Sequence, residues 1–226
     1  LTRVDGTQLW VLMNGSMHTD GKGHPIIAAT FVDITERKRA EEDVRYKAHH
    51  DVLTGLPNRA LFKDRLTIAL NYAHRAGSQL AVLCLDLDGF NVVNEAFGRE
   101  GGDQLLRQIS ERLKACVREE DSVARVGDDE FTLLLMKPAN VGDVTAVARK
   151  ILQAVAQPMS VEGHEFNITT SIGIAFYPQD GGDAESLLKN GDSALYRAKE
   201  AGRNSYQLCS PFLARKAAER LSLETA

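Results

Sequence analysis

Two aspartates, Asp86 and Asp88, stand at the end of the most apolar segment of the chain and suggest metal or phosphate chemistry. The segment "QLAVLCLDLD" (79–88) has the length and continuous apolar character of a buried central strand. Ligands bind at the ends of such strands, and a carboxylate there is costly unless it is paired or binds a metal. Mg²⁺ prefers one or two carboxylates together with substrate phosphates. An exposed strand-to-helix turn would give the same pattern, so the pair alone does not decide.

A second acidic pair, Asp129 and Glu130, lies in the segment "SVARVGDDEFTLLL" (122–135). Two short apolar strands joined by a polar turn predict a β-hairpin. This rigid element would bring another carboxylate to the end of the first strand. The resulting metal clamp would polarise a phosphoryl group and activate an attacking hydroxyl. For the hairpin taken alone, a solvated turn is the alternative.

The elements that position these carboxylates alternate between helix and strand. Asn58 is placed to cap an amphipathic helix, and further helices are predicted at about 101–117 and 141–156. A strand follows at 166–178, and Gly202 stops the last helix, which begins at about 184. This order, with one hairpin, predicts an α/β or α+β fold.

Composition excludes several classes of function. The formal charge of −4 over 226 residues predicts no broad basic surface, so no nucleic-acid partner is expected. Cys84, Cys116 and Cys209 are far apart, which argues against a disulfide framework or a zinc site and favours a reducing compartment. No apolar run approaches the length of a membrane span. We therefore expect a cytoplasmic chain without membrane contact of its own, although its parent protein could be membrane-anchored.

The N-terminal region differs from the rest. Residues 1–35 predict strands around the turn "GKGHP" and resemble the C-terminal end of a PAS sensor domain. Residues 36–50 predict a charged helix whose apolar residues, Ala40, Val44 and Ala48, are spaced four apart. This stripe suits either a signalling helix packed on a partner helix or a solvated linker helix.

Five motifs occur in the order and approximate spacing of the GGDEF family of bacterial cyclic di-GMP signalling: "DVLTGLPNR", "LDLDGFNVVNEAFGREGGDQLL", "RVGDDEF", "SIGIA" and "ALYRAKEAGRN". The segment 51–209 is therefore similar to a GGDEF domain. "DLDGF" also resembles the aspartate pair of haloacid-dehalogenase phosphatases, but the later motifs of that family are missing. The GGDEF resemblance implies a central, mainly antiparallel sheet flanked by helices, like the palm of nucleotide cyclases and polymerases. It also implies condensation of two GTP into cyclic di-GMP and two pyrophosphates by a homodimer.

The resemblance assigns roles to individual residues. It implies that Asp86, the Leu87 carbonyl and Asp129 bind Mg²⁺ or Mn²⁺, and that Asp86, Asp129 and Glu130 are catalytic. The residues it implies for GTP binding are the guanine readers Asn94 and Asp103, the phosphate contacts Lys199 and Arg203, and Gly127 and Asp128 of the signature turn.

An inhibitory site for the product is implied by the spacing of Arg118 and Asp121 upstream of the signature. In the family, an RxxD motif at this offset binds cyclic di-GMP. A surface ion pair is the alternative interpretation. Arg149 and Lys150 are looser candidates for an additional basic contact.

Three positions depart from the family pattern: Asn91 stands for a lysine, Arg99 for a histidine, and Asp128 for the second glycine of the signature. We expect the turn to survive, because aspartate tolerates the left-handed conformation better than most residues. Asp128 adds a negative charge beside a polyanionic substrate. The chain is therefore expected to be a slow diguanylate cyclase or a non-catalytic module that binds GTP or cyclic di-GMP. Residues 210–226 resemble the connector to an EAL phosphodiesterase domain, which such a module would regulate.

Overall fold

The computed structural model describes residues 6, 8–19, 21–22, 24–161 and 163–210. The chain divides into two compact units, Leu1–Ala48 and His49–Ala226. The expected connector at 210–226 lies, apart from Ser210, outside the described residues. None of the described helices combines the length and apolar character needed to cross a membrane.

The first unit contains an antiparallel pair of strands, β1 (Val11–Thr19) and β2 (Pro25–Asp33), followed by helix α1 (Thr35–His49), of which all but the last residue belong to this unit. The Asp33 carboxylate accepts a hydrogen bond from the Thr35 backbone N–H at 2.9 Å, which fixes the start of the helix. Large apolar side chains of the strand pair are exposed, including Met17 at 75% and Ile27 at 73%. Val44, in the middle of the apolar stripe of α1, is also exposed.

The second unit contains a five-stranded sheet with helices on both faces. Its helices are α2 (Arg59–Ala76), α3 (Phe90–Cys116), α4 (Val141–Val155) and α5 (Ala184–Glu200). Its strands are β3 (Leu80–Asp88), β4 (Ser122–Arg125), β5 (Glu130–Met136), β6 (Met159–Val161), β7 (His164–Phe166), β8 (Thr169–Tyr177) and β9 (Tyr206–Leu208).

The sheet has the order β4-β5-β3-β8-β9, and only the β8–β9 pairing is parallel. Strand β3 is central and antiparallel to both β5 and β8. The predicted fold class is thereby confirmed, including the β4–β5 hairpin. Strands β6 and β7 form a separate two-stranded sheet.

Strand β3 is buried on both faces, which explains its continuous apolar sequence. Leu83 and Leu85 belong to a core shared with α3 and α4, whereas Val82 and Cys84 belong to a core shared with α2 and α5. Because side chains alternate along a strand, Asp86 falls on the α2–α5 face. The apolar strand thus carries a carboxylate to the edge of the core.

Helix α3 differs from its prediction. It begins at Phe90, not near Gly101, and is interrupted at Gly98, where φ is 66° and ψ −175°. A positive φ is inexpensive only for glycine, so Gly98 is the natural breaking point. Asn94 and Asp103 consequently lie on two helical segments that change direction between them.

Candidate active site

The predicted metal ligands come together at the end of β3. Asp86 pairs in register with Glu130 of β5, and the Leu87 N–H donates to the Asp129 carbonyl at 3.2 Å. Because the N–H and C=O of a strand residue point to the same side, the Leu87 carbonyl also faces the hairpin. Burial, and then the neighbouring Asp86 charge, raise the pKa of Asp129. Two carboxylates that repel each other here favour a cation between them.

Lys199 reaches this site from the last turn of α5. Its Nζ lies 2.7 Å from an Asp86 carboxylate oxygen, and the Asp86 side chain is only 14% exposed. Lys199 also opposes the rise in the pKa of Asp129. Arg203, the other predicted phosphate contact, lies just beyond the helix with φ 62° and is exposed.

Asp88 has a different role from Asp86. Its carboxylate accepts hydrogen bonds from the hydroxyls of Thr169 at 2.7 Å and Ser171 at 2.8 Å, and from the Asn204 N–H at 3.1 Å. These three donors occupy the carboxylate, so Asp88 ties the turn that carries Arg203 to β3 and β8. The sequence singled out both aspartates, but their spacing did not indicate which one is structural.

A cavity of about 500 Å³ adjoins the metal ligands on the α3 side of the hairpin. The predicted guanine readers Asn94 and Asp103 both line it. Gly102 lies so close to the Asn94 amide that a Cβ there would collide with its oxygen. The whole lining comprises Phe90, Asn91, Asn94, Arg99, Asp103, Leu106, Arg125, Asp128 and Asp129.

The signature turn does not need the left-handed conformation expected for it. Among the described non-glycine residues, only Lys137, Arg203 and Asn204 have positive φ, and neither Gly127 nor Asp128 does. The absence of a side chain matters at Gly127 instead, because a Cβ there would lie 2.6 Å from a Glu130 carboxylate oxygen. The backbone of Asp128 is therefore unstrained, and its side chain lines the cavity beside Asp129.

Two residues that the sequence had not assigned hold this turn. Arg125 donates through Nη1 to both carboxylate oxygens of Asp51, at 3.1 and 3.2 Å, and through Nη2 to the Asp128 carbonyl at 2.7 Å. The Asp51 carboxylate also accepts from the N–H and hydroxyl of Thr54. Partial burial opposes ionisation of Asp51, but these hydrogen bonds outweigh it and lower its pKa. The motif around Asp51 thus supports the signature through Arg125.

Comparison with known protein families agrees with this geometry. The family model described as "Diguanylate cyclase, GGDEF domain" matches residues 48–205, which include every site residue described above. The chain belongs to the GGDEF family. It is a diguanylate cyclase-family domain of cyclic di-GMP signalling.

Relatives of this GGDEF domain occur in several bacteria. The chain is 43% identical over 196 residues to the bifunctional diguanylate cyclase/cyclic di-GMP phosphodiesterase MucR of Pseudomonas aeruginosa, covering 87% of this chain and 28% of MucR. The structure of the GGDEF domain of TpbB (YfiN) from the same species has a TM-score of 0.70 at 39% identity, covering 74% of this chain and 98% of that one. DgcB from Caulobacter crescentus, solved with cyclic di-GMP, has a TM-score of 0.69 at 29% identity and covers 76% and 92% of the two chains. This chain spans between 24% and 33% of the length of the first curated relatives it matches.

The predicted inhibitory residues of the GGDEF domain are adjacent in the turn before β4. The Asp121 carboxylate accepts from the backbone N–H groups of Arg118 at 3.0 Å and Met136 at 2.9 Å. The Arg118 guanidinium is exposed and lies 3.7 Å from Glu120. Lys150 donates to the Ala115 carbonyl at 2.8 Å, and it lines a cavity together with Arg118 and Asp121.

The donor set of the GGDEF domain fits a hard divalent cation. Asp86, Asp129 and the Leu87 carbonyl offer oxygen atoms only, which suits Mg²⁺ or Mn²⁺. No group of three or more His, Cys, Asp or Glu side chains among the described residues forms a complete metal site. Such an incomplete set is what Mg²⁺ accepts when substrate phosphates supply further ligands.

Proposed function

We propose that this GGDEF domain binds GTP with Mg²⁺ and converts it into cyclic di-GMP slowly. The observation that carries the proposal is the meeting of Asp86, Asp129 and Lys199 at the end of β3, beside the cavity lined by Asn94 and Asp103. One side of this arrangement suits a purine and the other suits phosphates with a metal. Mg²⁺ would neutralise phosphate charge and help to activate the attacking hydroxyl.

Guanine selectivity is assigned to Asn94 and Asp103. A carboxylate can accept from the guanine N1–H and amino group, whereas adenine offers no donor at the equivalent ring nitrogen. Asp103→Ala should therefore weaken GTP binding and leave the fold intact. Equal affinity of the wild-type protein for ATP and GTP would contradict the assignment.

Slow turnover is assigned to the charge distribution around the reacting phosphate. Catalysis needs stabilisation of charge that develops in the transition state, beyond what holds the substrate. Asn91 provides no cation, and the Asp128 charge acts in the same direction as Asp86 in raising the pKa of Asp129. At ~4 Å, a repulsion between like charges is about 1 kcal/mol in water and about 4 kcal/mol at an intermediate dielectric. A deficit of ~3 kcal/mol would slow the reaction roughly a hundredfold.

The test is incubation of the purified protein with GTP and Mg²⁺, followed by chromatography of the products. Asp128→Asn and Asp128→Gly, each combined with Asn91→Lys, should both increase cyclic di-GMP synthesis, because both remove the charge. If synthesis increases in the double variant with Asp128→Gly but not in the one with Asp128→Asn, the space taken by the side chain limits the reaction, and its charge does not. Rapid synthesis by the wild-type chain would overturn the proposal of slow turnover.

A second candidate function is a regulatory module that binds GTP or cyclic di-GMP without turnover. The acidic crowding at Asp128 and Asp129 favours it, and the name of the relative MucR, which includes a phosphodiesterase activity, supports an EAL domain as the regulated partner. Cyclic di-GMP would bind at Arg118 and Asp121, where the exposed guanidinium can make bidentate contacts to phosphate or guanine. Calorimetry should find that binding lost in Arg118→Ala and kept in the control Arg75→Ala. Unchanged affinity in Arg118→Ala would refute this site.

A further inference from the structure

The cavity next to the metal ligands contains one cation that is not committed to another group. Its described lining has two arginines, Arg99 and Arg125. Arg125 is engaged by Asp51 on one side and by the Asp128 carbonyl on the other. The Arg99 side chain makes no hydrogen bond or ion pair with any other residue that the structure describes. Its guanidinium is therefore available to a ligand.

The backbone around Arg99 is held in place by residues on both sides of it. The Phe97 ring packs edge-on against Phe166 of β7, with centroids 5.8 Å apart. Gly101 lies against the neighbouring strand β6, since a Cβ there would come within 3.1 Å of Val161. Gly98 then turns the chain with its positive φ. These contacts fix the position from which the Arg99 side chain extends along the cavity.

The cavity is lined mainly by negative charges, which a free cation would offset. Three carboxylates line it, those of Asp103, Asp128 and Asp129, and a triphosphate would add further negative charge. Lys199, on the metal side, is already paired with Asp86. We propose that Arg99 is a phosphate-binding residue of this cavity and offsets the negative charge that Asp128 introduces. The inference rests on the proposed binding of GTP.

The role of Arg99 predicts a selective loss of affinity for phosphates. A guanidinium that binds phosphate makes charge-assisted hydrogen bonds, whose loss lowers affinity by roughly tenfold. Calorimetry with Mg²⁺ would compare an α,β-methylene analogue of GTP, whose bridge between the first two phosphates cannot be cleaved, with guanosine. Arg99→Gln should bind the analogue about tenfold more weakly and guanosine as the wild-type protein does. Arg107→Gln, an exposed arginine on the same helix outside the cavity, is the matched control and should change neither affinity.

A second variant tests whether charge is the cause. Position 91 lines the same cavity, so Asn91→Lys in the Arg99→Gln background should recover at least half of the lost binding free energy. No recovery, an equal loss for guanosine, or unchanged affinity of Arg99→Gln for the analogue would each overturn the role of Arg99. The proposed function would survive those results as long as the wild-type protein binds the analogue. Failure of the wild-type protein to bind it would overturn both.

Discussion

At the scale of single residues, Asp51 and Arg125 link the start of the second unit to the signature turn. The ion pair is well shielded, since the side chains of Asp51 and Arg125 are 24% and 12% exposed. Arg125 also donates a hydrogen bond to the Asp128 carbonyl at 2.7 Å, which holds the turn in position. Charged hydrogen bonds of this kind are stronger than neutral ones. Loss of the carboxylate would leave a largely buried guanidinium without its carboxylate partner. The pair therefore matters for stability and for the shape of the turn.

Asp51→Asn should lower the free energy of unfolding by about 2 kcal/mol at pH 7, since it removes charged hydrogen bonds to Arg125 and Thr54. The pKa of Asp51 is lowered in the folded state, so its stabilisation is present above the ordinary value of 3.8 and is lost as the pH falls through the folded value. The difference between variant and wild type should accordingly shrink in acid. Urea unfolding at several pH values measures this, with Asp64→Asn, an exposed aspartate on α2, as the control. A constant difference down to pH 2 would contradict the assignment.

Asp129→Asn should have opposite effects without and with metal. In EDTA at pH 7 the variant should melt at a higher temperature than the wild type, because burial and the Asp86 charge penalise an ionised Asp129. That advantage should fade as the pH falls through the raised pKa of folded Asp129 and disappear below the ordinary value of 3.8, where the carboxyl is protonated in both the folded and unfolded states. Added Mg²⁺ should raise the melting temperature of the wild type more than that of the variant. Equal effects of Mg²⁺ on both proteins would remove Asp129 from the metal site.

The sequence placed Asp86 at a strand end and Asp129 and Glu130 at a hairpin turn, because strand ends and turns can be recognised from local patterns. It could not identify the partners of Asp51 or Asp88. Arg125 is 74 positions from Asp51, and Thr169 is 81 positions from Asp88. Such contacts depend on how the strands are ordered in the sheet. The spacing of residues along the chain does not reveal the order of the strands in the sheet.

At the scale of elements, the close packing of α5 on the sheet determines the position of Lys199. Gly173, in the middle of β8, faces the backbone of α5 so closely that a Cβ would collide with the Gly191 carbonyl and the Leu195 N–H. Gly191 in turn lies against the Cys84 side chain of β3. Two glycines on facing elements allow the helix to approach the sheet closely. This contact explains the glycine in the "SIGIA" motif, for which the sequence alone suggested no reason.

Gly173→Ala should destabilise the protein by about 3 kcal/mol, because the new methyl group meets backbone atoms that cannot move independently of α5. The helix would have to shift away from β8, and Lys199 would move away from Asp86. Thermal unfolding and affinity for GTP with Mg²⁺ should therefore both fall. Gly182→Ala is the matched control, since a Cβ there meets no atom within 4 Å and its φ is not positive. Similar losses in the two variants would show that the contact with α5 is not the cause.

Element boundaries were predictable where a capping residue marks them. Asn58 accepts a hydrogen bond from the Leu61 N–H at 3.1 Å and begins α2 as predicted, and α5 ends just before Gly202. The predicted start of α3, near Gly101, was wrong because three glycines, at 98, 101 and 102, favour a turn or a helix start by local propensity. Tertiary contacts override that propensity on either side of Gly98. Phe90 and Val93 are buried, so the first segment is held as a helix by its packing.

At the scale of the whole molecule, all the residues assigned to GTP lie in the unit His49–Ala226. That unit has two apolar cores, one on each face of its sheet. In the proposed function, one copy provides one guanine cavity and one pair of metal-binding carboxylates. The proposed condensation of two GTP into a symmetric product would therefore need two copies facing each other. Binding and synthesis should consequently respond differently to protein concentration.

Synthesis per chain should increase with protein concentration, whereas GTP affinity per chain should not. At concentrations where monomers predominate, the dimer population grows with the square of the total protein, so the rate per chain should rise about in proportion to concentration. The measurement uses wild-type protein or, if its product is too scarce, the Asp128→Gly, Asn91→Lys variant, with light scattering at each concentration.

Asp103→Ala, which lacks a guanine reader, serves as the inactive control. When it is mixed in excess with active chains, it should reduce synthesis by forming dimers with one empty half-site. A constant rate per chain over a range in which light scattering finds only monomers would contradict the two-copy mechanism and require both GTP molecules to bind one domain.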